Sequence, residues 1–236
     1  MTKKRVFAVA LAVCLIAILS LGSLAWFTDS DQVDNEFLIA GSQDGDKDKV
    51  FSVDVWEKTP DNDKDQDGYT YENILPGDIL PKEVRVENTG AYEQYIRVIV
   101  VVSNAAQWQE VLGYNSTEVP ELSRIVGGYS ADKWEPKAGY LDTVNNNIWY
   151  ELYYTDILAV AGDVKVFESV KVPESLTREQ AAAFRGGFDI SVAAQAVQTK
   201  NLGVDTTDNV NDAYEAFVKV NMTAQAAYEQ IIAANP

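Results

Sequence analysis

Apolar and polar residues alternate with a period of two in segment after segment of this chain, and only an extended strand sends such residues to opposite faces. In "FSVDVW", Phe51, Val53 and Val55 alternate with Ser52 and Asp54; in "KEVRVEN", Val84 and Val86 alternate with Glu83, Arg85 and Glu87. "QYIRVIVVVS" begins the same way and then turns apolar on both faces from Ile99 to Val102, the pattern of a strand inside the core. "IWYELYYTD" (148–156), "VKVFESVKVP" (164–173) and "FDISVAAQAVQ" (188–198) follow, the last with Phe188, Ile190, Val192, Ala194 and Ala196 on one face. Roughly six or seven strands with Gly-, Pro- and Asn-rich connections, and no regular strand–helix alternation, predict a mainly β chain folded as an antiparallel β-sandwich.

Short helices are inserted into this pattern. "AAQWQEVLG" (105–113) and "PELSRIVGG" (120–128) read as helices after the central strand. "LTREQAAAFRGG" opens on a cap candidate, Thr177, and stops at paired glycines. Near the C-terminus Ala213, Phe217, Val220, Ala224 and Ile231 fall close to helical spacing, which predicts a C-terminal segment of one or two helices. No fixed-period repeat is visible, so residues 42–236 read as one domain.

The chain opens "MTKKR" and continues "VFAVALAVCLIAIL" with no further charge until Asp29. A basic start, a short apolar run and the small residues Ser23 and Ala25 describe a signal peptide (1–25) cut between Ala25 and Trp26. The rival is an uncleaved anchor, since Val6–Phe27 is long enough for the roughly 20 residues that cross a bilayer, although Ser20, Gly22 and Ser23 dilute its second half. Either way the chain is expected to be exported, and after cleavage the membrane has no further part. Cys14, the single cysteine, would leave with the signal peptide, so no disulfide is expected.

There are 36 acidic and 19 basic residues, a formal charge of −17. Loss of Lys3, Lys4 and Arg5 makes this about −20, a surface that repels nucleic acid and attracts divalent cations. The chain has no histidine, which removes the usual zinc-protease and Ser-His-Asp chemistries. In "DNDKDQDGYTYE", Asp63, Asp65, Asp67 and Gly68 match the first positions of a calcium loop. The match then breaks, because position 12 is Ile74 and the nearest acid is Glu72. Calcium held by Asp63, Asp65, Asp67 and Glu72 stands beside the simpler reading of a solvated acidic loop.

"ILPGDILPKEVRVENTGAYEQYIRVIV" is a turn–strand–turn–strand unit, with Pro76-Gly77 fitting the centre of a type II turn and Asn88-Thr89-Gly90 forming a loop. The order "LPGD", strand, "ENTG", apolar strand resembles the TasA/camelysin family of secreted proteins, whose signal peptides are removed by a SipW-type signal peptidase. "LAWFTDSDQVDNEFLIAG" is similar to that family's exit pattern, and "FDISVAAQAVQTKNL" to its late core strand. The resemblance implies a jelly-roll-like sandwich in the extracellular matrix or at the cell surface, acting as a biofilm fibre subunit or accessory. Its partners would be copies of itself or related subunits. It also implies assembly by donation of a freed N-terminal strand.

The residues allow such a donor in segment 26–41: Val33, Phe37 and Ile39 share one face of a strand. The same alternation also suits the domain's own edge strand. Two alternatives stand beside the fibre reading: a monomeric calcium-stabilised surface-binding module, and a peptidase of the kind described for some camelysin relatives. For the latter, a chain without histidine offers only carboxylates, which suit calcium or magnesium better than zinc, so no catalytic residue is assigned. Five Trp, twelve Tyr and eight Phe raise the question of sugar stacking at Trp149 and Tyr153, against the simpler expectation that both belong to a core.

Overall fold

A computed structural model of the chain describes residues 28–32, 35–37, 51–60, 64, 69–184, 187–200, 202–204 and 208–234. Two antiparallel sheets pack face to face. The larger runs β2 (Asn35–Phe37), β1 (Thr28–Gln32), β10 (Ile190–Gln198), β5 (Gln94–Ser103), β8 (Asn147–Tyr154), β7 (Trp134–Asp142). The smaller runs β3 (Val53–Lys58), β4 (Ile79–Asn88), β9 (Asp163–Lys171), β6 (Val126–Gly127). The mainly β antiparallel sandwich expected from the alternation is the observed fold class.

Alternate residues of both sheets meet in the core. Val53, Val55, Val84, Val86, Val164 and Val166 of the smaller sheet face Ile96, Val98, Val100, Val192, Ala194, Ile148 and Leu152 of the larger. Helix α1 (Ala105–Leu112) places Trp108 against Phe184 and Phe188, edge to face, and so joins this core. The expected helix at 120–128 is only one turn, α2 (Leu122–Ile125). Val126 and Gly127 leave it to pair with Val170 and Ser169 of β9, and Gly127 fits because a Cβ there would strike the Ser169 side chain. Helix α3 (Arg178–Ala183) begins at Thr177 as expected, with a reciprocal cap: Gln180 N–H donates to Thr177 Oγ1 at 3.2 Å, and Thr177 N–H to Gln180 Oε1 at 3.0 Å. The Leu75–Asp78 turn also matches expectation, with Gly77 at φ 88° and Asp78 N–H bonded to Leu75 O at 3.1 Å.

The C-terminal segment forms two helices, α4 (Asn209–Lys219), capped by Asp208, and α5 (Ala224–Ala234). Both lie on the outer face of the larger sheet. Ile99, Val101, Trp149 and Ala193 meet Ala227, Tyr228 and Ile231 of α5. Tyr95, Tyr153 and Val197 meet Ala213, Ala216 and Phe217 of α4. A third layer therefore covers β5, β8 and β10, and this is why the Ile99–Val102 run is apolar on both faces. Trp149 and Tyr153 are buried beneath these helices, so they serve as core and offer no face to a sugar. Among the described residues no helix is long and apolar enough to cross a membrane.

Candidate functional site

The first site is the place of the N-terminal strand. β10 is buried on both faces over most of its length and bonds β5 along one edge. Its other edge is occupied by β1, antiparallel, with Thr28 opposite Val197 and Gln32 opposite Ala193. Outside β1 lies β2, with Ser30 opposite Phe37. An empty β10 edge would leave main-chain N–H and C=O groups unpaired beside the core, so the slot calls for a strand whatever its side chains are. Of the expected assembly residues, Phe37 lies in β2 by its backbone, while Val33 and Ile39 lie outside the described residues. Ala25 and Trp26, at the expected cut, also lie outside them.

The acidic loop is the second place sequence reasoning pointed to. Asp63, Asp65 and Asp67 lie outside the described residues, and Glu72 is exposed. Among the described residues no group of three potential metal ligands converges. Lys64 instead ion-pairs with Glu87 and stands 5.6 Å from the Trp56 ring centre. Nearby, the Tyr71 hydroxyl donates to Pro81 O, and burial first, then the Glu57 charge, raise its pKa to about 12. Glu57 itself is buried and paired with Lys82.

A third cluster has no counterpart among the sequence-based expectations. Arg97, only 2% exposed, lies under the α4–α5 hairpin on the outer face of β5. Its Nε donates to Gln195 Oε1 at 3.0 Å, its Nη1 to Glu151 Oε1 at 3.4 Å and to Tyr153 Oη at 3.3 Å, and its Nη2 to Met222 O at 3.3 Å. The Phe217 ring centre is 4.3 Å from the guanidinium carbon. Tyr153 in turn donates to Glu151 Oε1 at 2.7 Å. The legible signal was a single polar residue in the middle of each of three apolar strands: Arg97 in β5, Glu151 in β8 and Gln195 in β10. The register then sets Gln195 directly across from Arg97, and Glu151 across from Ile99.

The network reaches the surface at Tyr140 of β7. Its ring lies flat on Trp149, with centres 3.9 Å apart and planes at 16°, and Trp149 lies on Tyr228 at 5.2 Å and 11°. Burial raises the Tyr140 pKa first, and the charge of Glu151 adds to the shift. At the other end of the stack Tyr228 donates to Asp142 Oδ2 at 2.6 Å, and burial and Asp142 raise its pKa to about 12. Asp142 is held below its usual value: burial works in the other direction, and hydrogen bonds from Tyr228, Asn145 and Val144 prevail.

The chain matches no protein-family model, no curated protein and no solved structure.

Proposed function

We propose that the chain is a secreted structural subunit of extracellular matrix fibres, and that one copy places its N-terminal strand in the β10 slot of the next. The observation that carries this reading is the position of β1: it starts at Thr28, directly after the expected Ala25–Trp26 cut, and completes the edge of a buried strand. In the sequence, residues 38–50 lie between β2 and Phe51, and a stretch of that length can span at most roughly 45 Å. Main-chain pairing supplies the affinity in such an exchange, so the polar sequence Thr28–Gln32 is no obstacle. The contact is head-to-tail and repeats without closing, which yields filaments rather than rings. Before a SipW-type signal peptidase acts, the strand remains joined to the apolar segment and cannot reach a neighbour freely.

The test uses the cysteine-free chain left after cleavage. Gln32→Cys and Ala193→Cys are placed in two separate chains that differ in size, and the chains are mixed under mild oxidation. These positions face each other in the pairing register, at a separation suited to a disulfide. Mixed disulfide dimers together with filaments from Trp26–Pro236, and no filaments from Gly41–Pro236, are expected. If the two cysteines join only when present in one chain, β1 stays in its own sandwich and the exchange reading fails.

A further inference from the structure

We infer that Tyr140 and Tyr214 form a stacking platform for a neutral, β-linked polysaccharide chain, at the seam between β7 and α4. Tyr140 is 40% exposed and Tyr214 41%, although the residues beneath them are almost fully buried. Tyr140 is locked from behind. One ring face is covered by Trp149, Trp149 is backed by Tyr228, and Tyr228 is tied through Asp142 to the backbone N–H groups of Val144 and Asn145 at 2.9 and 3.1 Å. Beside it, the Glu151 carboxylate is held by Arg97 and Tyr153. The surface left to Tyr140 is therefore its outward side, in a fixed orientation. Tyr214 meets the same patch from α4, packed edge to face on Tyr153 at 6.0 Å, with the Lys137 ammonium 4.8 Å from its ring centre.

The arrangement selects its ligand by elimination. Two exposed rings, with Lys137 beside Tyr214, make a patch far smaller than the roughly 800 Å² per side of a stable protein interface. A charge of −17 opposes polyanions, which excludes nucleic acids and acidic glycans. A β-linked hexopyranose has equatorial hydroxyls and a flat face of axial C–H bonds, which matches a fixed aromatic ring, and the Lys137 ammonium beside Tyr214 can meet its hydroxyls. Pre-fixing the ring matters because weak ligands cannot offset the cost of ordering a mobile side chain.

The test is depletion of the purified protein by insoluble cellulose and by chitin, at low salt and in 0.5 M NaCl. Retention on at least one matrix that survives the high salt is expected, with Tyr140→Ala and Tyr214→Ala each weakening it about tenfold. Tyr92→Ala, which removes a more exposed tyrosine from the β4–β5 loop, should leave retention unchanged. Thermal melts of all variants show whether each keeps its fold, and Tyr214→Ala carries the test if Tyr140→Ala does not. No retention on either matrix overturns the inference. So does retention that high salt abolishes, or that neither tyrosine substitution affects. The outcome is independent of strand exchange, since the platform lies on β7 and α4, away from the β1 slot.

Discussion

Asn88 ties three segments together through one side chain. Its Nδ2 donates to the carbonyls of Tyr92 (2.8 Å), Leu158 (3.0 Å) and Ala159 (3.1 Å), while its Oδ1 accepts from Gly90 N–H (2.9 Å) and Gln94 Nε2 (2.6 Å). Gly90 must be glycine for this to close, because a Cβ would lie 2.8 Å from Ser52 N. Asn88→Ala would strand several buried polar groups and should cost about 3 kcal/mol in urea denaturation, whereas an exposed neighbour such as Glu93→Ala should cost little. The "ENTG" stretch was legible as a loop; that its asparagine is a buried hub was not, because its partners at 158 and 159 are seventy residues away. Tyrosines give a second prediction at this scale. Tyr71, Tyr129 and Tyr228 are raised to about 12 by burial first, so the unfolded chain loses these protons before the folded one. Their contribution to stability is complete below the ordinary value of 10.0 and is lost as pH rises towards 12. An alkaline titration should show falling stability over that window, with tyrosinate absorbance and unfolding appearing together.

The helical hairpin is the element that most changes the sandwich. Ile231 and Tyr228 sit on Ile99, Val101 and Trp149, so Ile231→Ala should lower stability by about 2–4 kcal/mol. The same hairpin seals Arg97 and Glu151 from water. Arg97→Ala leaves Glu151 without its cation and should cost about 3–5 kcal/mol, while Arg97→Met combined with Glu151→Leu should recover most of that loss. A double-mutant cycle measured by denaturant melts decides it, and equal losses in the single and double variants would show that the ion pair is not the source. Sequence periodicity located both helices and the doubly apolar β5. It did not reveal β7, since "WEPKAGYLD" lacks alternation and carries Pro136 at a register shift, features tolerated on a strand that, among the described residues, pairs on one side alone, with β8. Nor did it show where α2 stops, because Val126 and Gly127 are claimed by β9, a partner forty residues further on.

At the scale of the whole molecule, charge opposes any assembly of like copies. With about −20 on each cleaved chain, subunits repel at low ionic strength, where the screening length is about 30 Å at 0.01 M, and approach freely near 0.15 M, where it is about 8 Å. On the fibre reading proposed above, light scattering of the Trp26–Pro236 chain should therefore show filament growth that speeds up with salt, and growth that slows with salt would point to an attractive charge contact instead. The sequence by itself determined the fold class, the acidic surface, the absence of histidine chemistry, the Pro76-Gly77 turn and the Thr177 cap, because alternation, charge and turn chemistry are carried by residues close together in the chain. Only the tertiary structure decided that Arg97, Glu151 and Gln195 share one buried network, that Trp149 lies under a helix while Tyr140 stays open above it, and that β1 fills the edge of β10. Those pairings join residues many tens of positions apart, and they depend on strand order and register, which local pattern leaves open.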